Sequence, residues 1–294
     1  MEGEIIRSYP VLELARPVNC FFTGVAVIIG SVVTFEQLNM QWIFPLIASV
    51  AAALIAAGGN SINDYFDQEI DEINRPERPI PSGRTTAKKA LTAAWLFFAI
   101  GISLTIFLNI YNILLAALNS IILALYAWKL KRKGFVGNIA VGYLAGSTFL
   151  FGGLAISHVK LGSLIPGGLS VLVLMATFST VGRELIKAIQ DMQGDRQLGF
   201  ITFPLMFGAG KAAVLAISFI GISVSLSPLP YLMGIFEWYY LAIVTLSIAA
   251  FATAAVMIGW RHRPATAGHA SLTCKIGIGF GLVAFLVGVL AKLL

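Results

Sequence analysis

Asn63, Asp67 and Asp71 recur at i, i+4 and i+8 in the stretch NDYFDQEID, and Asp191 and Asp195 repeat the i, i+4 interval in IQDMQGDRQLG. Residues four apart lie one above the other on a helix face, so each group projects oxygen donors in one direction. Asn60 and Asp64 form a parallel pair one step around the same helix. Stacked carboxylates repel: at about 6 Å and an effective dielectric near 20, the cost is on the order of 3 kcal/mol per pair, which a bound cation reverses. Two such sets facing each other across a cleft suit Mg²⁺, which keeps several waters and takes one or two carboxylates plus phosphate oxygens of a substrate. The plain alternative is a solvated loop whose acids offset nearby Lys and Arg. Recurrence of the arrangement at an equivalent depth on the same face weighs against it.

The basic residues supply the complementary half. INRPERPIPSGR offers Arg75, Arg78 and Arg84, WKLKRKG offers Lys129, Lys131, Arg132 and Lys133, and VGRELIKAIQD places Arg183 and Lys187 one turn apart ahead of Asp191. Arg and Lys suit phosphate oxygens, Arg through its planar fork. Together these residues describe a site for a multiply charged anion and a metal, beneath a lid of loops.

The elements that must position them are membrane helices. Of 294 residues 58% are hydrophobic and only 12% charged, with a mean hydropathy of +0.87, whereas a soluble domain carries roughly a quarter charged residues. A helix crossing the bilayer needs about 20 mostly apolar residues. Nine such stretches can be drawn, at 17–35, 42–63, 89–108, 111–130, 136–156, 165–187, 211–229, 238–260 and 272–293. With the N-terminus inside, all Lys and Arg except Lys160 and Lys292, and all acids except Glu36 and Glu237, fall on the cytoplasmic face. That bias orients a multi-pass chain and accounts for the formal charge of +6. Aromatics do not interleave with the basic residues of these loops, which argues against nucleic-acid binding.

YPVLELARP reads as an interfacial segment leading into the first span, and the acidic start MEGE does not match a cleavable signal. Cys20 and Cys274 have no metal-ligand or disulfide spacing and read as packing residues. His158, His262 and His269 show no ligand spacing and read as structural or solvated. Tyr126 and Tyr143 could face a cation but read more simply as packing or interfacial tyrosines. Paired glycines at 58–59, 152–153 and 167–168 permit close helix approach. Asn19 and Asn138, entering spans one and five, and the two acidic groups hint at a repeat of spans 1–4 and 5–8 within one domain covering residues 1–294.

At the acidic stretches the chain resembles the UbiA superfamily of intramembrane prenyltransferases. The family's NDxxDxxxD reads here as Asn63, Asp64, Asp67 and Asp71, and its DxxxD as Asp191 and Asp195. NRPERPIPSGR, GDRQLGFITFP, ELARPVNC and GFVGN are also similar. The resemblance implies an all-α bundle of nine transmembrane helices around a central cavity capped by cytoplasmic loops. It implies two Mg²⁺ ions held by Asn63, Asp64, Asp67, Asp71, Asp191 and Asp195, with Asp67, Asp71, Asp191 and Asp195 as the catalytic acids. Lys131, Arg78, Asn19, Arg16 and Lys187 would contact the diphosphate of a prenyl donor. Relatives with KDxxDxxGD carry an acid where this chain has Ala188. The wording looks closest to the branch that makes lipid ethers, chlorophylls and prenylated homogentisates; the short N-terminus argues against a plastid enzyme, which favours transfer of geranylgeranyl to geranylgeranylglyceryl phosphate, a lipid acceptor. An aromatic acceptor of quinone synthesis is the second reading.

A secondary transporter for an anion or metal places ionisable groups near the bilayer midplane, whereas here they concentrate at one face. An isoprenoid-binding scaffold without turnover does not need all of these motif ligands.

Overall fold

A computed structural model of the chain describes residues 9–34, 41–156 and 167–293. Among these, nine helices are long and apolar enough to cross a membrane. They are α1 (Pro17–Thr34), α2 (Ile43–Phe66), α3 (Ala87–Leu104), α4 (Ile110–Trp128), α5 (Gly134–Leu154), α6 (Gly168–Gln190), α7 (Ala209–Leu226), α8 (Trp238–Trp260) and α9 (Pro264–Leu293). No strand occurs among the described residues, where pairing is limited to an isolated bridge between Lys133 and Ile201. His158, Glu36 and Lys160 lie outside the described residues.

The nine expected spans are present, but several helices outrun them. Helix α2 continues to Phe66 and α6 to Gln190, and α9 begins at Pro264 rather than near 272. Hydropathy marks where lipid ends, whereas a helix continues as long as its i→i−4 bonds are made. Pro264 opens α9 because a first-turn proline forfeits no helical hydrogen bond and has its φ preset. His269 is therefore a helical residue, not a loop residue. The YPVLELARP segment forms the short helix Pro10–Ala15.

The chain divides into two compact units. The first contains α1 to Ser31, α2, α3, α4 and the end of α5 from Phe151. Its helices approach through small residues: Gly58 lies against Phe98 of α3, and Gly59 against Leu123 of α4. Side-chain bonds to carbonyls tie them further, from Asn112 Nδ2 to Phe151 O (2.9 Å) and from Ser31 Oγ to Gly152 O (2.8 Å). Packing and such bonds replace the hydrophobic drive that lipid cannot supply between helices. The second unit contains the rest of α5 and α6–α9. Its core is built from Val181, Leu185, Ile186 and Ile189 of α6, Ala212, Ala216 and Ile220 of α7, Phe251 and Ile258 of α8, and Cys274 of α9. Ser223 Oγ donates to Met175 O at 3.0 Å, and Ser247 Oγ to Gly277 O at 2.7 Å.

Gly152 is the tightest of these approaches. A Cβ there would stand 1.9 Å from the Val27 carbonyl oxygen and 3.0 Å from the Ser31 nitrogen, both backbone atoms. Gly152→Ala must push α1 away, an overpacking cost on the order of 2 kcal/mol. The expected result is a melting temperature several degrees lower in detergent, and an unchanged value would show that α1 shifts freely.

Candidate active site

The first acidic motif lies where α2 ends. Phe66 is the last residue of α2, Asp67 caps it, and the helix Gln68–Asn74 follows at once. The backbone pattern survives the break: Asp67 N bonds to Asn63 O (2.9 Å), Asp71 N to Asp67 O (2.8 Å) and Arg75 N to Asp71 O (2.8 Å). Asn63, Asp67 and Asp71 thus keep the i→i−4 register, which holds their side chains one above another. Asn63 Oδ1 is buried without a hydrogen-bond partner, although buried polar atoms are normally satisfied.

Two arginines converge on this motif. Asp64 and Asp71 are only 4% and 5% exposed. Arg16 Nη2 donates to Asp64 Oδ1 at 2.5 Å, and Arg78 Nη1 donates to Asp64 Oδ1 at 3.3 Å and to Asp71 Oδ2 at 2.6 Å. Arg78 reaches back because the loop after the motif folds on itself, with Ser82 N on Arg78 O and Thr85 N on Pro79 O, both at 3.0 Å. Arg16 ends the helix Pro10–Ala15 in the left-handed region at φ 54°, ψ 71°, where a residue with a Cβ is uncommon. Asn60 Nδ2 donates to Ala15 O at 2.8 Å, fixing that turn against α2. Arg84 binds both carboxylate oxygens of Glu13 and also the Glu77 carbonyl (2.5 Å). The Glu13 hydrogen bonds push the Arg84 guanidinium further above its ordinary pKa. Asn19 lies exposed in the first turn of α1, outside this network.

The second motif sits at the end of α6. Asp191 caps the helix, its N–H on Lys187 O (3.0 Å), and Asp195 N bonds to Asp191 O (2.9 Å) in the helix Met192–Gln197. Burial and the neighbouring Asp191 charge push the Asp195 carboxyl up to about 6, with Lys187 acting the other way. Lys131 lies in the turn Leu130–Arg132. The stretch after the second motif is strapped to that turn: Ile201 N donates to Arg132 O (3.1 Å), Gly134 N donates to Ile201 O, and the Arg132 guanidinium lies 5.4 Å from the Phe200 ring centre. Lys131 is thereby carried on the segment tied to the second motif.

These donor sets fit Mg²⁺. An unpartnered buried amide oxygen and the Asp195 carboxyl, raised by burial and by the neighbouring Asp191 charge, are both places where a cation relieves a cost. Among the described residues no three His, Cys, Asp or Glu side chains converge on one point. Sparse carboxylates suit an ion that completes its shell with water and phosphate oxygens.

The structure also brings in residues the motifs did not mark. The Glu13–Arg84 clamp joins positions far apart in sequence, and Thr202 Oγ1 is buried without a partner. An acid in the apolar interfacial segment was the one signal for Glu13; Thr202 had none. Arg183 and Glu184 lie inside α6, well short of its end.

Comparison with known proteins gives the same picture along the whole chain. The UbiA prenyltransferase family matches residues 20–291. Digeranylgeranylglyceryl phosphate synthase of Methanopyrus kandleri is 38% identical, covering 97% of this chain and 100% of the relative. The protein of the same name from Methanosarcina mazei is 40% identical, covering 97% and 99%. A solved structure concerning digeranylgeranylglyceryl phosphate synthase in membranes superposes with a TM-score of 0.79 at 34% identity, covering 99% of this chain and 100% of that one. A UbiA homologue from Archaeoglobus fulgidus, bound to GPP and Mg²⁺, shares the fold at a TM-score of 0.67 and 20% identity, covering 94% and 99%. Nine membrane-length helices among the described residues, two acidic motifs capping α2 and α6, and a match from near one terminus to the other place this chain in the UbiA prenyltransferase family.

Proposed function

We propose that this protein transfers a geranylgeranyl group from geranylgeranyl diphosphate to the free hydroxyl of geranylgeranylglyceryl phosphate, forming an ether lipid at the cytoplasmic face of the membrane. The carrying observation is that relatives bearing that activity in their names align at 38–40% identity over 97% of the chain. Asn63, Asp67 and Asp71 from the first motif and Asp191 and Asp195 from the second are the oxygen ligands for two Mg²⁺ ions. When bound, Mg²⁺ neutralises the charge that grows on the diphosphate as the allylic C–O bond breaks. Arg78, Arg16, Lys131 and Lys187 bind the diphosphate oxygens, preorganised charge aimed at the leaving group. The apolar helices around the reacting carbon exclude water, which would otherwise hydrolyse the donor. The acceptor hydroxyl oxygen forms the new bond to that carbon and its proton leaves, diphosphate being released.

The test is transfer by purified, detergent-solubilised protein from labelled geranylgeranyl diphosphate, offered geranylgeranylglyceryl phosphate or 4-hydroxybenzoate. An ether-lipid product that disappears with EDTA supports the reading. Product from 4-hydroxybenzoate alone would move the acceptor to an aromatic acid.

Metal binding should also follow pH. Asp195, held at about 6, is ionised above that value and protonated below it. Because the raised value favours the proton, Mg²⁺ must displace it in acid. The apparent Mg²⁺ affinity, read without donor by thermal shift, is expected to be flat above pH 7 and to fall by up to about tenfold per unit below pH 6. Asp195→Asn is expected to weaken binding and flatten that dependence, whereas equal wild-type affinity at pH 5 and 8 removes Asp195 from the ligand set.

A further inference from the structure

Ionisable side chains inside a membrane helix are costly and mark function, and one pair has no part in the steps above. Arg183 and Glu184 lie in the interior of α6, their side chains 24% and 12% exposed, joined by Arg183 Nη1 donating to Glu184 Oε1 at 2.7 Å. Glu184 engages one end of the guanidinium. Arg183 Nε is buried and has no hydrogen-bond partner, although a buried N–H normally finds one. The edge formed by Nε–H and Nη2–H is the one through which arginine grips two oxygens of a single phosphate or carboxylate. The ion pair therefore leaves the oxyanion-binding edge of Arg183 without a bond at its buried end.

Its place on the helix says which oxyanion. Arg183, Lys187 and Asp191 are spaced i, i+4, i+8 on one face of α6. Arg183 lies two turns, about 12 Å along the axis, from Asp191. Helical side chains lean toward the helix N-terminus, so Arg183 reaches away from Asp191 and toward an oxyanion deeper than the diphosphate bound by Lys187 and the metals. The acceptor, if the preceding reading holds, carries such a group. Its phosphate lies four bonds from the reacting hydroxyl oxygen, and the donor's terminal phosphorus lies four bonds from the reacting carbon. With the reacting atoms about 3 Å apart, the two phosphoryl ends stand a comparable distance from each other.

We propose that Arg183, oriented by Glu184, is the subsite for the acceptor's phosphomonoester headgroup, and so selects a phosphorylated lipid over the corresponding alcohol. The site is a phosphate fork set below the diphosphate site on the same helix face.

The proposal is tested by binding, without turnover. Thermal shifts of the detergent-solubilised full chain are recorded with geranylgeranylglyceryl phosphate, geranylgeranylglycerol, 4-hydroxybenzoate and inorganic phosphate, for wild type, Arg183→Lys, Arg183→Met and Glu184→Gln. The phosphorylated lipid is expected to bind wild type at least tenfold more tightly than the alcohol. Arg183→Lys should erode that preference and Arg183→Met should abolish it, while affinity for the alcohol stays within about twofold. Glu184→Gln keeps an oxygen that accepts from Nη1 and should retain the preference, and the conservative Arg183→Lys decides the question should Arg183→Met fail to fold. A preference that persists in folded Arg183→Met overturns the proposal, as does an inorganic phosphate or 4-hydroxybenzoate shift that equals the lipid's and depends equally on Arg183. An Arg183-dependent preference in protein that forms no ether product sustains the subsite and counts against the transfer reaction instead.

Discussion

Asp67→Ala and Asp191→Ala are each expected to lower Mg²⁺-dependent transfer by about 10² to 10³-fold, the cost of removing one preorganised stabiliser of a developing charge. The two positions are comparable because each caps a membrane helix and starts the short helix that continues it. Each therefore projects its carboxylate at the point where the helix leaves its apolar surroundings. Neither residue belongs to the packed helix faces, so the variants should fold and melt near wild type without metal. Their defect should appear as lost Mg²⁺ affinity together with lost kcat. Asp67→Asn keeps one oxygen ligand but removes the negative charge, and its activity should fall between wild type and alanine. Full activity in either alanine variant would remove that acid from the metal set. A lowered melting temperature with unchanged Mg²⁺ affinity would recast it as a structural cap.

Both acidic motifs were legible because helical spacing is local: four residues suffice to show which side chains share a face, and the structure keeps that spacing through the breaks at Asp67 and Asp191. The spans were legible because lipid imposes length and apolarity. Helix ends were less so, since α2 and α6 carry polar residues past the apolar stretch for as long as their backbone bonds are made. The partners of the acids lay beyond local reading. Arg16 meets Asp64 across 48 positions, and Arg84 meets Glu13 across 71. Such pairs depend on how the segment before α1 folds against α2, which no periodicity encodes. Arg16 also adopts a positive φ that its residue type does not announce.

Arg78→Ala should have the second large effect, because this side chain stands between two buried carboxylates. Its Nη1 serves both Asp64 and Asp71, and the pairing holds the guanidinium in the first motif before any ligand arrives. Removing one partner from a buried ionic group costs about 3–5 kcal/mol. Arg16 remains on Asp64, which places the expected loss at the lower end of that range. Two signatures separate binding from mere support. First, the KM for geranylgeranyl diphosphate should rise by 10 to 100-fold, about 1.4–2.8 kcal/mol of donor binding, with a smaller change in kcat. Second, Mg²⁺ should restore much of the lost thermal stability, since the cation replaces the missing positive charge beside Asp71. Arg78→Lys, a point charge without the fork, should recover stability more fully than donor affinity. Asp64→Asn probes the same network from the other side. It loosens the hold on Arg16 and Arg78 and should raise the donor KM while leaving Mg²⁺ affinity near wild type. A fall in Mg²⁺ affinity as large as that of Asp67→Ala would instead make Asp64 a metal ligand, and the arginines its resting partners.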